Sequence, residues 1–358
     1  MFHAGSGESG LAVIVDARTK TCVDVNGCLD YWRPRNYYGD RVWDTVLRIA
    51  LRDCNDPPLS ILAVRELKPQ VDALLAERGI NTLVLMQTSA FPGEIVRHSA
   101  WNMYGRSGSP FKWAGCVWYE DGFYKCPILN PQSYEHVYEW LIRRWFLQAY
   151  AVAHKRITPF PWPNLTVDIT AALYSALEAI AADPKRPVAI DIETNIGGGI
   201  ITAVGFSNAA GTVSVPWHEF AVSGTEEIEP ALTSYPEGQR IERIVRDILA
   251  SQQPKVFHNG AFDIYQLGLH GIVVGGFDYD TLLMHRVAYP QYKHGLQFAV
   301  ATEYCVEPWK CFWKPPKNVR ASTHDIWLSD PREMHLYNCR DAYATFKLYE
   351  SLKEKVGL

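Results

Sequence analysis

Acidic side chains that share one face of a backbone element can hold a divalent cation, and this sequence offers them in three places. In Val188-Ala189-Ile190-Asp191-Ile192-Glu193 the two carboxylates stand two residues apart. On a strand, residues i and i+2 point the same way. Asp191 and Glu193 therefore project together, while Ile190 and Ile192 face a core. Two like charges at a strand end are costly unless they are solvated or paired with cations. In His258-Asn259-Gly260-Ala261-Phe262-Asp263 a strand ends, a turn follows, and Asp263 enters the first turn of a helix. In Tyr337-Asn338-Cys339-Arg340-Asp341 the tyrosine and the aspartate are four apart on a helix and share a face. Taken singly, each segment has a plain structural reading: a solvated strand end, a helix-start acid that complements the dipole, a Tyr packed beside a surface Asp. Together they are a set of oxygen donors, the ligands that hard cations such as Mg²⁺ prefer over Cys or His.

In this order along the chain, the Asp-x-Glu-Thr, Asn-x-x-Phe-Asp and Tyr-x-x-x-Asp segments resemble the motifs of the DEDD exonucleases, in the subgroup whose third motif carries tyrosine. The chain is similar to the 3′-to-5′ proofreading exonuclease domain of pol I-like DNA polymerases, especially phage ones. Tyr279-Asp280-Thr281-Leu282-Leu283, His294-Gly295-Leu296-Gln297-Phe298-Ala299 and Asp341-Ala342-Tyr343-Ala344-Thr345 extend the likeness, which runs from about Pro187 to Leu358. The resemblance implies a ribonuclease H-like fold and two divalent cations, Mg²⁺ or Mn²⁺. It implies that Asp191, Glu193 and Asp341 hold the metal that activates water. Asp191 would bridge to a second metal that Asp263 supports. Tyr337 would orient the attacking water, and Thr194 and Asn259 would hold the terminal nucleotide. His258 reads as a neutral histidine packed at a strand end, and Asp280, beside Asp278, as a cap of the following helix.

These residues need elements to position them. Val188–Glu193, Ile200–Ser207 and Thr212–Trp217 read as three strands in sequence, with a hairpin turn at Gly197-Gly198-Gly199. Helices are expected over about Ile169–Ala182, Ile241–Ala250, Ala261–Leu269, Asp280–Ala288, Gly295–Tyr304 and Pro331–Glu354, and a strand over Lys255–His258. Asp330-Pro331-Arg332-Glu333 supplies an N-cap, a first-turn proline and an acid for the last helix. The result is an α/β domain with a mixed sheet. Tyr289, Tyr292, Trp309, Phe312 and Trp313 are candidates for stacking on unpaired bases.

Three alternate prolines in Thr158-Pro159-Phe160-Pro161-Trp162-Pro163-Asn164 can neither continue a helix nor sit inside a sheet. The boundary is set there, giving an N-terminal domain over 1–157, a Pro-rich linker and helix over 158–186 and the exonuclease domain over 187–358. In the first domain, Val42, Val46, Leu47, Ala50 and Leu51 predict a helix over Asp40–Cys54, and Val64, Leu67, Val71, Leu74 and Leu75 a second one closed by Gly79. A buried strand is expected over Ile80–Met86, a hairpin around Asp121-Gly122, and a helix over about Tyr134–Val152. This smaller α/β domain resembles the later half of the uracil-DNA glycosylase fold, from near Val64 to about Val152. Its core strand would lead into a helix start at Thr88-Ser89-Ala90. Asn130 stands where that family carries a His, and no glycine-rich water-activating motif lies upstream. The resemblance therefore implies a scaffold or DNA-contact role rather than catalysis.

The chain has 358 residues, of which 47% are hydrophobic and 21% charged, with a net charge of −4. That balance excludes disorder and fibrous classes and argues against coating nucleic acid by bulk charge. No apolar run reaches membrane-spanning length, and the N-terminus has no signal-peptide pattern. Eight scattered cysteines without a C-x-x-C pair read as reduced intracellular thiols, with a metal site on Cys22, Cys28 and Cys54 as the lesser alternative. The expectation is a cytoplasmic two-metal-ion enzyme of a bacterial or phage-infected cell that hydrolyses DNA from the 3′ end. Its partners would be single strands or frayed 3′ ends, and a DNA polymerase or other replication protein. It would be a stand-alone nuclease or the front of a longer polymerase. Three rivals remain open: a ribonuclease D-type RNA-processing nuclease, a non-catalytic DNA-binding replication module, and an active uracil glycosylase.

Overall fold

The computed structural model describes residues 1–15, 44–51, 60–86, 99–105, 110–129, 131–160, 162–163, 165–166, 168, 170–195, 199–220, 228–310 and 330–358. These form two compact units. The first comprises Met1–Pro161 with Tyr304–Pro308, the second Trp162–Glu303 with Trp309–Leu358.

The first unit is built on β1 (Phe2–Ala4), β2 (Leu11–Val15), β3 (Leu47–Ala50), α1 (Ile61–Glu77), β4 (Thr82–Met86), α2 (Ser99–Tyr104), β5 (Trp118–Glu120), β6 (Phe123–Ile128) and α3 (Pro131–Ala153). Its six strands lie in the order β1-β3-β2-β4-β6-β5. The inner four are parallel, and β1 and β5 close the edges antiparallel. Helix α1 starts at Ser60, whose hydroxyl accepts from the Ala63 N–H at 3.0 Å, and ends at Gly79 with φ +62°. The hairpin turns through Asp121 and Gly122, both at positive φ, the backbone a tight primed turn requires.

The helix expected over Asp40–Cys54 is corrected: Leu47–Ala50 is the strand β3, paired in parallel with β2 from Ala12↔Leu47 to Val15↔Ala50. All four residues are buried. A short apolar run fits either a buried strand or a helix face by spacing alone, and burial on both faces of a parallel sheet selects the strand. Thr88–Ala90, Asn130, Cys22, Cys28, Cys54 and Cys311 lie outside the described residues. Cys126, Cys305 and Cys339 are free thiols.

The second unit contains α4 (Ala171–Ala181), β7 (Val188–Thr194), β8 (Ile201–Asn208), β9 (Gly211–Pro216), β10 (His218–Phe220), β11 (Ile228–Pro230), α5 (Gly238–Ala250), β12 (Lys255–Phe257), α6 (Ala261–Leu269), β13 (Phe277–Asp280), α7 (Thr281–Ala288), α8 (Leu296–Glu303) and α9 (Pro331–Leu352). The five-stranded sheet runs β13-β12-β7-β8-β9. It is mixed, as expected: β7, β8 and β9 form an antiparallel meander, while β12 and β13 continue in parallel from β7. Val188, Ile190 and Ile192 pack with Leu173, Leu177 and Ile180 of α4 and Ile241, Val245 and Ile248 of α5. Period-2 alternation then sends Asp191 and Glu193 to the other face, where α9 crosses β7, β8 and β9. At the β7–β8 turn the Asn195 N–H donates to the Ile200 carbonyl at 3.0 Å, and the Asn195 side chain accepts from the Ile200 N–H. Residues 196–198 lie outside the described residues. Strand β13 is not expected from the sequence: Phe-Asp-Tyr-Asp alternates aromatic and acidic residues over only four positions at the sheet edge, too short a run to set a strand apart by pattern. Among the described residues no helix is long and apolar enough to cross a membrane.

Candidate active site

Asp191 and Glu193 leave β7 on the face that α9 covers. From α9, Asp341 meets them: one carboxylate oxygen of each of the three lies within 4.8 Å of the others. Glu193 and Asp341 are 7% and 4% exposed. The elements that present them are locally encoded. Asp330 accepts from the Glu333 N–H at 3.1 Å to start α9, and the helix then carries Tyr337 and Asp341 one turn apart.

Asp263 arrives from α6. Its Oδ1 accepts from the Ile192 N–H at 3.1 Å, between the two acids of β7. Asp280 supports that approach: its carboxylate accepts from the Asn259 and Gly260 N–H groups at 3.1 and 3.0 Å and from Leu282 at 2.9 Å. One side chain thus caps α7 and fastens the turn that leads into α6. Asn259 adopts φ +67° in that turn, a region asparagine tolerates better than most residues. Asn259 is exposed, and Thr194, the last residue of β7, is half-buried. Both stand at the ends of the elements that carry Asp263 and Glu193. His258 is neutral: burial pushes its imidazole down to about 3, and its Nδ1 lies 2.9 Å from the Thr281 hydroxyl.

The cluster is electrostatically loaded. Burial, followed by Asp341, Glu193 and Asp263, holds the Asp191 carboxyl well above the usual carboxylate range. Burial likewise raises Asp263 to about 7, against the opposing pull of the Ile192 N–H. Tyr337 is pushed well above an ordinary phenol by burial and by the Asp341 charge, so its hydroxyl keeps its proton.

Three contributors carried no signal for this role in the sequence. Lys310 sets its ammonium 2.6 Å from Asp341 Oδ2 and 5.3 Å from the centre of the Tyr337 ring. Trp309 donates its indole N–H to Asp341 Oδ1. Gln297 of α8 accepts from the backbone N–H groups of both, at 3.2 and 3.1 Å. Burial alone would lower the Lys310 ammonium, but Asp341, Tyr337 and Asp191 together hold it well above the ordinary lysine value. Trp309 is therefore an anchor of the cluster and not a surface for bases. Tyr292 is buried, and the Tyr289 hydroxyl is engaged by Glu303 and Lys355. Phe312 and Trp313 lie outside the described residues. Phe262 and Tyr265 of α6, 46% and 63% exposed, flank Asp263 in sequence.

Self-repelling oxygen donors, with the Asp191 and Asp263 carboxyls raised, match the ligand chemistry of a hard divalent cation. A cluster of this kind on a mixed α/β sheet suits a metal-dependent hydrolase. The family model for 3′-5′ exonucleases matches residues 165–357, more than half of the chain, and the protein belongs to that family. It is a metal-dependent exonuclease, and its family uses two divalent cations.

Among curated proteins, none matches the sequence. Among solved structures, the chain is similar to the catalytic core of RRP6 from Trypanosoma brucei, with 20% identity, a TM-score of 0.36 and coverage of 55% of this chain and 49% of that one. It is also similar to Escherichia coli RNase D, an exoribonuclease, at 15% identity and TM-score 0.35, covering 55% and 46%. For the POL domain of Pol1 from M. smegmatis the values are 14% and 0.30, covering 54% and 28%. The chain thus spans about half or less of each of these three.

Proposed function

We propose that the protein removes nucleotides from the 3′ end of DNA, preferring single-stranded or mismatched ends. The observation that carries this reading is the convergence of Asp191, Glu193 and Asp341 within 4.8 Å, with Asp263 tied into the same strand by the Ile192 N–H. Asp191, Glu193 and Asp341 would hold one divalent cation, and Asp191 and Asp263 would serve the second. When bound, such ions supply Lewis acidity for water activation and for the charge that develops on the phosphate and the leaving oxygen. Tyr337, kept protonated by its buried position, orients the attacking water through its hydroxyl. Thr194 and Asn259 stand at the ends of β7 and of the α6 turn, where a terminal nucleotide can be held. The preference for DNA rests on the likeness of the three motifs, and of the Asp341-Ala342-Tyr343-Ala344-Thr345 continuation, to polymerase proofreading domains.

The proposed organisation is a domain over 1–157, a linker over 158–186 and the nuclease over 187–358, in a cytoplasmic protein that works with a polymerase or other replication protein. The first domain is read as a non-catalytic, glycosylase-like DNA-contact scaffold. Its inner strand order β3-β2-β4-β6 supports the contact role alone. The order reverses between β2 and β4, and open parallel sheets bind ligands beyond the strand ends at such a point.

The test is release of nucleotides from end-labelled, sequence-matched DNA and RNA oligomers with Mg²⁺, with Mn²⁺ and with EDTA. Metal-dependent shortening of DNA from the 3′ end is expected. RNA shortened much faster than DNA would replace the DNA reading by an RNA-processing one.

A further inference from the structure

Asp191, Gly205 and Ser214 form one row across the sheet, paired as Asp191↔Gly205 and Gly205↔Ser214. Over this row lies the fully buried amide of Asn338 from α9. Its Nδ2 donates to the Asp191 backbone carbonyl at 3.1 Å and to Asp191 Oδ2 at 2.9 Å. Its Oδ1 accepts from the Ser214 hydroxyl at 2.7 Å. The middle position of the row has to be glycine: a Cβ on Gly205 would lie 2.7 Å from Asn338 Oδ1. Two acceptors on Asp191 fix which end of the amide is nitrogen. The Ser214 proton is thereby committed to Asn338, so the His335 Nδ1, 2.9 Å from Ser214 Oγ, must be the protonated nitrogen that donates to it. Burial lowers His335 to about 4, in keeping with a neutral ring. Every donor in the chain His335, Ser214, Asn338 points toward Asp191.

We infer that Asn338, backed by Ser214 and His335, is a positioning residue that fixes the orientation of the Asp191 carboxylate for metal binding. This rests on the reading of Asp191 as a ligand. Without the amide, a carboxylate surrounded by Glu193, Asp263 and Asp341 gains by rotating away from them. Two N–H bonds to one residue, one on its backbone and one on its side chain, hold it against that repulsion. Hydrogen-bond partners behind a metal ligand typically matter by about 10–100-fold in affinity.

The experiment is calorimetric titration of Mn²⁺ into the full chain without nucleic acid, beside metal-free melting curves. Asn338→Ala is expected to weaken Mn²⁺ binding by about 10–100-fold, and Ser214→Ala, which removes only the hydroxyl, by a smaller factor in the same direction. Because Ser214 acts through Asn338, the double variant should lose no more than Asn338→Ala alone. Raised Mn²⁺ should restore cleavage by Asn338→Ala but not by Asp191→Ala. Wild-type Mn²⁺ affinity in Asn338→Ala, with binding lost in Asp191→Ala, overturns the positioning role and leaves the active-site reading standing. Wild-type affinity in Asp191→Ala overturns the reading itself. Should Asn338→Ala not fold, Ser214→Ala decides alone: unchanged affinity there rejects the role.

Discussion

The Lys310 ammonium lies 2.6 Å from Asp341 Oδ2, so the carboxylate cluster carries a cation of its own. A fixed positive charge beside a ligand both stabilises the metal-free cluster and opposes an arriving cation. Lys310→Met should lower the metal-free melting temperature and tighten Mn²⁺ binding. Differential scanning calorimetry and metal titration check the two effects. An unchanged melting temperature together with unchanged affinity would rule out the ion pair as a contributor.

Asp191, the acid proposed to serve both cations, has Glu193 and Asp341 within reach. Asp191→Ala should abolish detectable hydrolysis, with Asp341→Ala and Glu193→Ala nearly as severe. Tyr337→Phe leaves every carboxylate intact, and a lost hydroxyl in proton management costs about 10²–10⁴-fold, so slow cleavage should persist. Asp191→Asn keeps the shape and removes one of the clustered charges, so its metal-free melting temperature should hold or rise. Single-turnover cleavage in Mg²⁺ is the measurement. Near-normal turnover by Asp191→Ala would move the catalytic centre elsewhere.

Asp263 gives the sign of the pH dependence. Its folded pKa of about 7 stands above the usual carboxylate value of about 4. The folded state therefore binds more protons than the unfolded chain between those values. The contribution to stability is present in full below the lower value and is lost as pH rises through the upper one. Metal-free stability should fall from about pH 4 toward pH 7, and Asp263→Asn should flatten that slope. Divalent affinity should rise over the same range, because the ligands must lose their protons. A metal-free stability that rises with pH across this window, in wild type but not in Asp263→Asn, would contradict the assignment.

Phe262 and Tyr265, near Asp263 in the sequence of α6, expose aromatic surface. Stacking of an unpaired base on such a ring is worth about 1–3 kcal/mol. Phe262→Ala and Tyr265→Ala should raise KM for single-stranded DNA by about fivefold or more, with little change in kcat. Equal KM values in wild type and both variants would exclude these rings from the substrate path.

Opening a paired end costs on the order of 1–2 kcal/mol per step, so single strands and mismatched 3′ ends should be cut faster than matched duplex. Comparing rates on the three substrates tests this, and equal rates would remove the stated preference. Uracil-containing DNA incubated with the protein in EDTA and then treated with alkali should stay intact if the first domain is the non-catalytic scaffold proposed above. Breaks at uracil would show that the first domain is catalytic.

The sequence by itself determined the local identity of every acid in the cluster. The pairing of Asp191 with Glu193 on one strand face, the one-turn spacing of Tyr337 and Asp341, and the capped start of α9 are set by residues at most a few positions apart, and backbone periodicity makes such patterns readable. The mixed sheet followed from the three-strand meander and the alternating elements after it. Tertiary structure decided the rest. Asp263 reaches the Ile192 N–H because β12 runs parallel beside β7. Asn338 reaches Asp191 across a separation of 147 residues because Gly205 opens the sheet face between them. Trp309 and Lys310 meet Asp341 because Gln297 fastens their backbone. The Leu47–Ala50 strand, whose spacing fits a helix, was settled by its neighbours in the parallel sheet. Each of these depends on which strands and helices pack side by side. That adjacency is fixed by the burial of the whole core, and no window of local sequence contains it.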